Sequence, residues 1–235
     1  MKHALLMALL VLAAATLKAQ SPIGYGVKAG TTFSSFSHSQ PHTGSKLGFT
    51  AGVFGNYQFS DLLGVQVEAA YFQQGGSFTQ FTDDSRFYGE SQYFFKNVTT
   101  SRVTLHNVEV PVLLRVSIPT QSEVKPLFFA GPSVGFNLGA TERYERTGEL
   151  GGGSRVYATA SGRDNVTSQY NLYQFGATAG LGLEMPFFGE HKLLVDARYR
   201  YGVNAAKNTF SYIDFTRVSG RLHSDAIVFT VGFGF

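Results

Sequence analysis

From residue 23 onward, apolar and polar side chains alternate along most of the chain, and helical periodicity is weak. Eight long alternating segments run over 23–36, 46–59, 63–79, 102–118, 125–140, 168–186, 191–205 and 221–235. Each is near or above the ~9–11 residues that a tilted strand needs to cross a bilayer. The connections alternate in length. Those at 37–45, 80–101, 141–167 and 206–220 are long and polar. Those at 60–62, 119–124 and 187–190 are short and carry turn chemistry, as in Ser60-Asp61, Pro119-Thr120 and Gly189-Glu190. An even strand number, alternating long and short connections and both ends on the short-turn side predict an all-β fold. It is an eight-stranded antiparallel up-and-down transmembrane β-barrel.

A soluble barrel or a β-sandwich would also alternate, but its outward positions would be polar. Here they are apolar. In the last segment one parity reads Ile227, Phe229, Val231, Phe233 and Phe235, while the other reads Ala226, Val228, Thr230, Gly232 and Gly234, suited to a crowded lumen. An aromatic residue closing such a strand resembles the signal read by outer-membrane assembly machinery. The first segment sets Ile23, Tyr25, Val27 and Ala29 against Gly24, Gly26, Lys28 and Gly30. In the second, Phe54 and Gly55 break the size pattern without breaking the register. The segment around Leu127-Phe128-Phe129 is apolar on both sides and carries little parity information.

The same parity sorts the charges. Lys28, Glu68, Glu109, Arg115, Glu184, Asp196, Arg198 and Arg200 all fall on the faces opposite the apolar ones. Arg102, Arg221 and Asp225 take the outward parity, but at segment ends beside long loops. A midplane Arg or Lys facing lipid costs roughly 2–4 kcal/mol, so the partition supports a lipid-facing exterior. Eight strands enclose a space just wide enough for their side chains. Four positive and four negative lumen charges are therefore expected to form a closed ion-pair plug; the alternative is a narrow proton or ion path.

Composition sharpens this picture. The chain has 235 residues, with 27 Gly, 22 Phe and 12 Tyr, no Trp and no Cys. Lys2, an uncharged run from Ala4 to Leu17 and Lys18-Ala19-Gln20 predict a secretory signal peptide over 1–20, followed by one barrel domain over 21–235. The run is too short for a membrane-spanning helix, and its "KAQ" ending resembles leaders of Bacteroidetes-type bacteria. Without Lys2 and Lys18, 17 basic residues face 16 acidic ones, so no global field favours nucleic acid. The absence of cysteine excludes disulfides, thiolate metal sites and a cysteine-linked lipid anchor.

Candidate chemistry is sparse, and no enzyme, metal or cofactor is expected. His38, His42, His106, His191 and His223 show no metal-binding spacing, although His38 and His42 share one loop. A lipid A deacylase arrangement needs His and Ser two apart on one strand face. No such pair occurs, and His223-Ser224-Asp225 puts the serine opposite the histidine. Gly24-Tyr25-Gly26 and Gly180-Leu181-Gly182 lie inside strands and open no helix, so they are not nucleotide fingerprints. The aromatic-rich 80–101 segment is expected to extend its flanking strands as a hairpin, with a partner surface as the alternative. Residues 141–167, mixed in charge and carrying Gly151-Gly152-Gly153, are expected to form a mobile loop.

The pieces "IGYGVKAGTTFSSF", "NVEVPVLLRV", "KPLFFAGPSVGFNL", "GATAGLGLE", "VDARYRYGV" and "FTVGFGF" spread over the chain from residue 23. In that order and spacing the sequence resembles the PorT-like outer-membrane β-barrel family of Bacteroidetes-type bacteria. The resemblance implies an integral outer-membrane protein. Some members are similar to a component of type IX protein secretion; many have no assigned activity. It implies no catalytic residues. Expected partners are outer-membrane lipid or lipopolysaccharide and other envelope or secretion proteins; the other readings are a small channel and a lipid A-modifying enzyme.

Overall fold

The computed structural model describes residues 23–37, 43–88, 91–150, 155–207 and 223–235. The expected signal segment and the His38 and His42 pair lie outside the described residues. Nine strands follow one another: β1 (Ile23–Ser37), β2 (Thr43–Gln58), β3 (Leu63–Tyr88), β4 (Ser91–Ser117), β5 (Lys125–Leu150), β6 (Arg155–Asn165), β7 (Tyr173–Pro186), β8 (Lys192–Gly202) and β9 (His223–Gly234). Every pairing is antiparallel. Eight strands close the wall in the order β1-β2-β3-β4-β5-β7-β8-β9, and β9 returns to β1. Closure removes the open edges that hydrocarbon cannot satisfy. No described helix is long and apolar enough to cross a membrane; the strands cross instead.

The alternating pattern maps directly onto the two faces. Ile227, Phe229 and Val231 of β9 are exposed, whereas Ala226, Val228 and Thr230 between them are buried. On β7 and β8 the apolar outward positions likewise alternate with buried ones. The ambiguous Leu127-Phe128-Phe129 run resolves by register against β7: Leu127 and Phe129 point inward at 1% and 2% exposure, and Phe128 outward at 48%. Phe54 is the large side chain in an otherwise small inward set. Its ring fills the space left by Gly26, where a Cβ would sit 2.6 Å from the ring. The β1–β9 seam is tight as well: a Cβ on Gly30 would lie 1.9 Å from the Phe229 carbonyl oxygen, so only glycine fits there.

Aromatic pairs mark both rims of the apolar band, as in membrane barrels generally. At the short-turn end Tyr25 stacks on Phe235 at 5.8 Å and Tyr57 meets Phe59 at 5.2 Å. Towards the opposite end Phe49 contacts Tyr71 at 5.0 Å and Phe136 contacts Tyr173 at 5.6 Å. The β7–β8 turn reverses through positive φ at Phe188 (39°) and Gly189 (71°), the handedness that tight hairpins require.

Two expectations about the long connections differ in outcome. The 80–101 segment does extend its strands: β3 and β4 pair continuously from Leu63↔Val116 to Tyr88↔Ser91. The 141–167 segment is not a mobile loop. β5 runs on to Leu150, and β6 pairs back on it from Leu150↔Arg155 to Thr141↔Asn165. Because β4 also pairs with the far half of β5, a four-stranded ribbon β3-β4-β5-β6 stands beyond the barrel rim. Mixed charge and a triple glycine signal a loop locally, whereas the residues of β5 and β6 alternate and find a ladder partner. Val166 and a 3-10 turn at Thr167–Gln169 lead back to β7. With Phe36, Val103, Leu105, Ala140, Tyr170 and Ala206, Val166 forms an apolar cap over this end.

Candidate functional site

The eight charged positions sorted by parity are all buried, between 3% and 8% exposed. Each stands on a wall strand whose outward neighbours are apolar, so the strand period alone delivers it to the lumen. They collect in three tiers, each with as many positive as negative members.

The middle tier joins three strands. Lys28 of β1 lies 3.1 Å from the Glu68 carboxylate of β3 and 3.4 Å from Asp196 of β8. Arg198 of β8 donates to Glu68 at 2.6 Å and to Asp196 at 3.1 Å. Gln66 donates to Glu68 at 2.6 Å. The Arg198 guanidinium also covers the Phe129 ring, 4.4 Å from its centre, which keeps its flat face away from water. Two cations and two anions held so closely offset one another's desolvation, as burial demands.

The tier nearer the long hairpins centres on Arg200. Its Nε donates to Glu109 at 2.6 Å, and its Nη1 reaches the Ser224 carbonyl at 3.1 Å. Ser224 donates its hydroxyl to Gln74 at 3.0 Å, and Gln74 donates to Gln174. The third tier, at the short-turn end, pairs Arg115 with Glu184, which also meets the more exposed Lys192 at 3.2 Å. Sequence reasoning names none of Gln66, Gln74 and Gln174, although parity places all three inward, because it followed charge; Phe129 lies in the run that parity leaves open.

Apolar layers separate the tiers. Phe54, Leu113, Leu127, Phe129 and Leu194 cluster on one side of the middle tier, and Phe72, Ala226 and Val228 on the other. A void of about 40 Å³ remains between the middle tier and Arg200–Glu109. Beyond Arg115 and Glu184 the barrel opens into a vestibule of about 520 Å³, bordered by Asn56, Gln58, Lys125 and Lys192.

The remaining candidates scatter. His106 faces outward and bonds the Tyr71 hydroxyl through Nδ1. His191 packs on Phe233 and Phe235 at the short-turn end. His223 turns Nδ1 to the Gly202 carbonyl at 3.0 Å, while Ser224 points into the lumen and Asp225 accepts from the Gly202 N–H. That trio therefore forms no relay. Among the described residues no three His, Asp or Glu side chains are grouped to hold a metal ion.

Residues 18–208 match the family described as outer membrane protein beta-barrel domain. Curated proteins include no match. Similar solved structures include the attachment invasion locus protein Ail of Yersinia pestis, 13% identical over 90% of this chain and 98% of that one, with a TM-score of 0.38. Neisserial surface protein A is 16% identical over 92% and 98%, with a TM-score of 0.39. OprG of Pseudomonas aeruginosa is 15% identical over 90% and 94%, with a TM-score of 0.41. With a closed eight-stranded wall, an apolar outer band, an ion-paired lumen and a family match over most of its length, the chain belongs to the outer membrane protein beta-barrel domain family and resides in the cell outer membrane.

Proposed function

We propose that the protein is a non-enzymatic, plugged barrel that serves the cell envelope, in a PorT-like role in protein secretion, by presenting its extracellular ribbon to other envelope proteins. The observation that carries this reading is the contrast between lumen and ribbon. The lumen is filled by neutral tiers and apolar layers, while β3 to β6 project well past the barrel rim. Long ordered hairpins on a rigid scaffold are where binding surfaces concentrate. The similarity of the quoted sequence pieces to the PorT-like family supplies the secretion context.

A photocrosslinking residue at Thr159, exposed on β6, tests the reading in native outer membranes. One or a few envelope proteins should be captured reproducibly; capture of lipopolysaccharide alone would count against it. The vestibule of about 520 Å³ favours a small channel as the second reading. Planar-bilayer recordings separate the two, since a plugged lumen passes no steady current. A lipid A-modifying activity would change lipid A mass spectra between cells with and without the protein.

A further inference from the structure

On the outward face of the ribbon, three arginines stand side by side. Arg102 of β4 is the direct partner of Arg143 on β5, and Arg143 is the direct partner of Arg163 on β6. Directly opposed residues of antiparallel strands point to the same side, about 4.5–5.5 Å apart at Cα. All three are exposed, and none is ion-paired to a carboxylate of the described residues. Like charges in direct opposition destabilise a sheet, so three in one row need an external counter-charge.

Among the described residues the surroundings do not supply it. The row continues onto β3 as Ser77. Lys46 of β2 lies within electrostatic reach of Arg102 and Arg143, and His106 within reach of Lys46 and Arg163. One step farther from the membrane Glu145, opposite Thr100 and Ser161, is the one carboxylate beside the row among the described residues. Two further ribbon carboxylates, Glu142 and Asp164, are partners of each other on the opposite face, where Glu142 acts on Tyr170 and Lys207. At the level of the row, three cations thus stand outward while the Glu142–Asp164 pair takes the other face.

Height identifies the counter-ion. Down β4 from Arg102 the outward positions read Thr104, His106 and then Val108 to Val116, the apolar band. Exposed Leu138 of β5 lies beside the His106 level. Arg102 is about 13 Å along the strand beyond His106, and less in height because barrel strands tilt. The row therefore hangs over the outer-leaflet headgroups. Guanidinium forks bind phosphate oxygens in bidentate fashion, and two inter-strand steps span about 10 Å.

We propose that Arg102, Arg143 and Arg163, with Lys46, form a site on the outer wall for the phosphate groups of a phosphorylated glycolipid of the outer leaflet. Such a lipid would clamp the ribbon to the membrane surface. The proposal stands apart from the protein-partner reading, because it involves the wall-side face of the ribbon and a lipid.

The test measures the temperature at which the purified protein in detergent loses its folded gel mobility. Bisphosphorylated lipid A, dephosphorylated lipid A and inorganic phosphate are added separately at matched concentrations. Bisphosphorylated lipid A should raise that temperature by several degrees and the other two should not. In the triple variant R102Q/R143Q/R163Q the lipid-induced rise should vanish. Without lipid its unfolding temperature should be no lower than wild type, because repulsion has been removed. For R143Q alone, apparent lipid affinity should fall about tenfold, as expected for one charged hydrogen-bonded contact. An equal rise with dephosphorylated lipid A or with inorganic phosphate overturns the proposal. So does an undiminished rise in the triple variant or an unchanged affinity in R143Q.

Discussion

Arg198 shows what one buried side chain does here. It bridges Glu68 and Asp196 while lying on Phe129, and its tier is neutral only with it in place. Arg198→Ala leaves Lys28 alone against two carboxylates, and breaking a buried pair in this way costs about 3–5 kcal/mol. The variant should therefore lose its folded gel mobility at a clearly lower temperature than wild type in detergent. An unchanged temperature would show that the tier contributes nothing to stability. Gly30 imposes a different constraint, on backbone rather than charge. Gly30→Val drives a Cβ into the Phe229 carbonyl across the closing seam, so the yield of folded barrel in refolding trials should fall sharply. Parity made the charged residues legible, because a strand needs only its period to assign faces. Which arginine meets which carboxylate was not legible: Arg198 and Glu68 are 130 residues apart and meet only once the wall is closed.

At the scale of elements, the ribbon and its cap can be separated from the barrel. Thr141 and Asn165 are direct partners on β5 and β6, so a short turn can replace everything between them. The β5–β7 pairing from Lys125↔Glu184 to Phe136↔Tyr173 lies below that cut. A chain with 142–164 replaced by a two-residue turn should still fold into a heat-modifiable barrel; failure to do so would make the ribbon part of the folding unit. The cap carries a pH signature. Burial first, and then the neighbouring Glu142 carboxylate, push the Tyr170 hydroxyl well above the ordinary tyrosine range. A tyrosine held protonated by the fold gives stability that is full below the unfolded value near pH 10, and this is lost as pH rises. Alkaline difference spectra of wild type and Tyr170→Phe should diverge above about pH 10, with the variant keeping its cap to higher pH. Superimposable profiles would remove Tyr170 from the cap's energetics. The additional strand β6 escapes sequence reasoning because Gly151-Gly152-Gly153 is a loop signal. β6 is ordered by the ladder that β5 offers it, a non-local partner.

The molecule as a whole is a closed wall around a filled interior, with its variable chemistry displaced to one end. Apolar layers between ionic tiers should deny ions a continuous wet path, so purified protein in planar bilayers is expected to show no steady conductance. Sustained current of fixed amplitude would reverse that expectation and favour the channel reading. The sequence by itself determined the strand number of the wall, the side of the wall that residues face outside the Leu127-Phe128-Phe129 run, and the membrane as surroundings. Those follow from a two-residue period that every strand carries locally. Only the tertiary structure decided how the eight lumen charges divide into tiers, that β5 continues into a ribbon with β6, and that Arg102, Arg143 and Arg163 share one row. Register between distant strands set all three, and a one-residue slip would have sent each side chain to the other face.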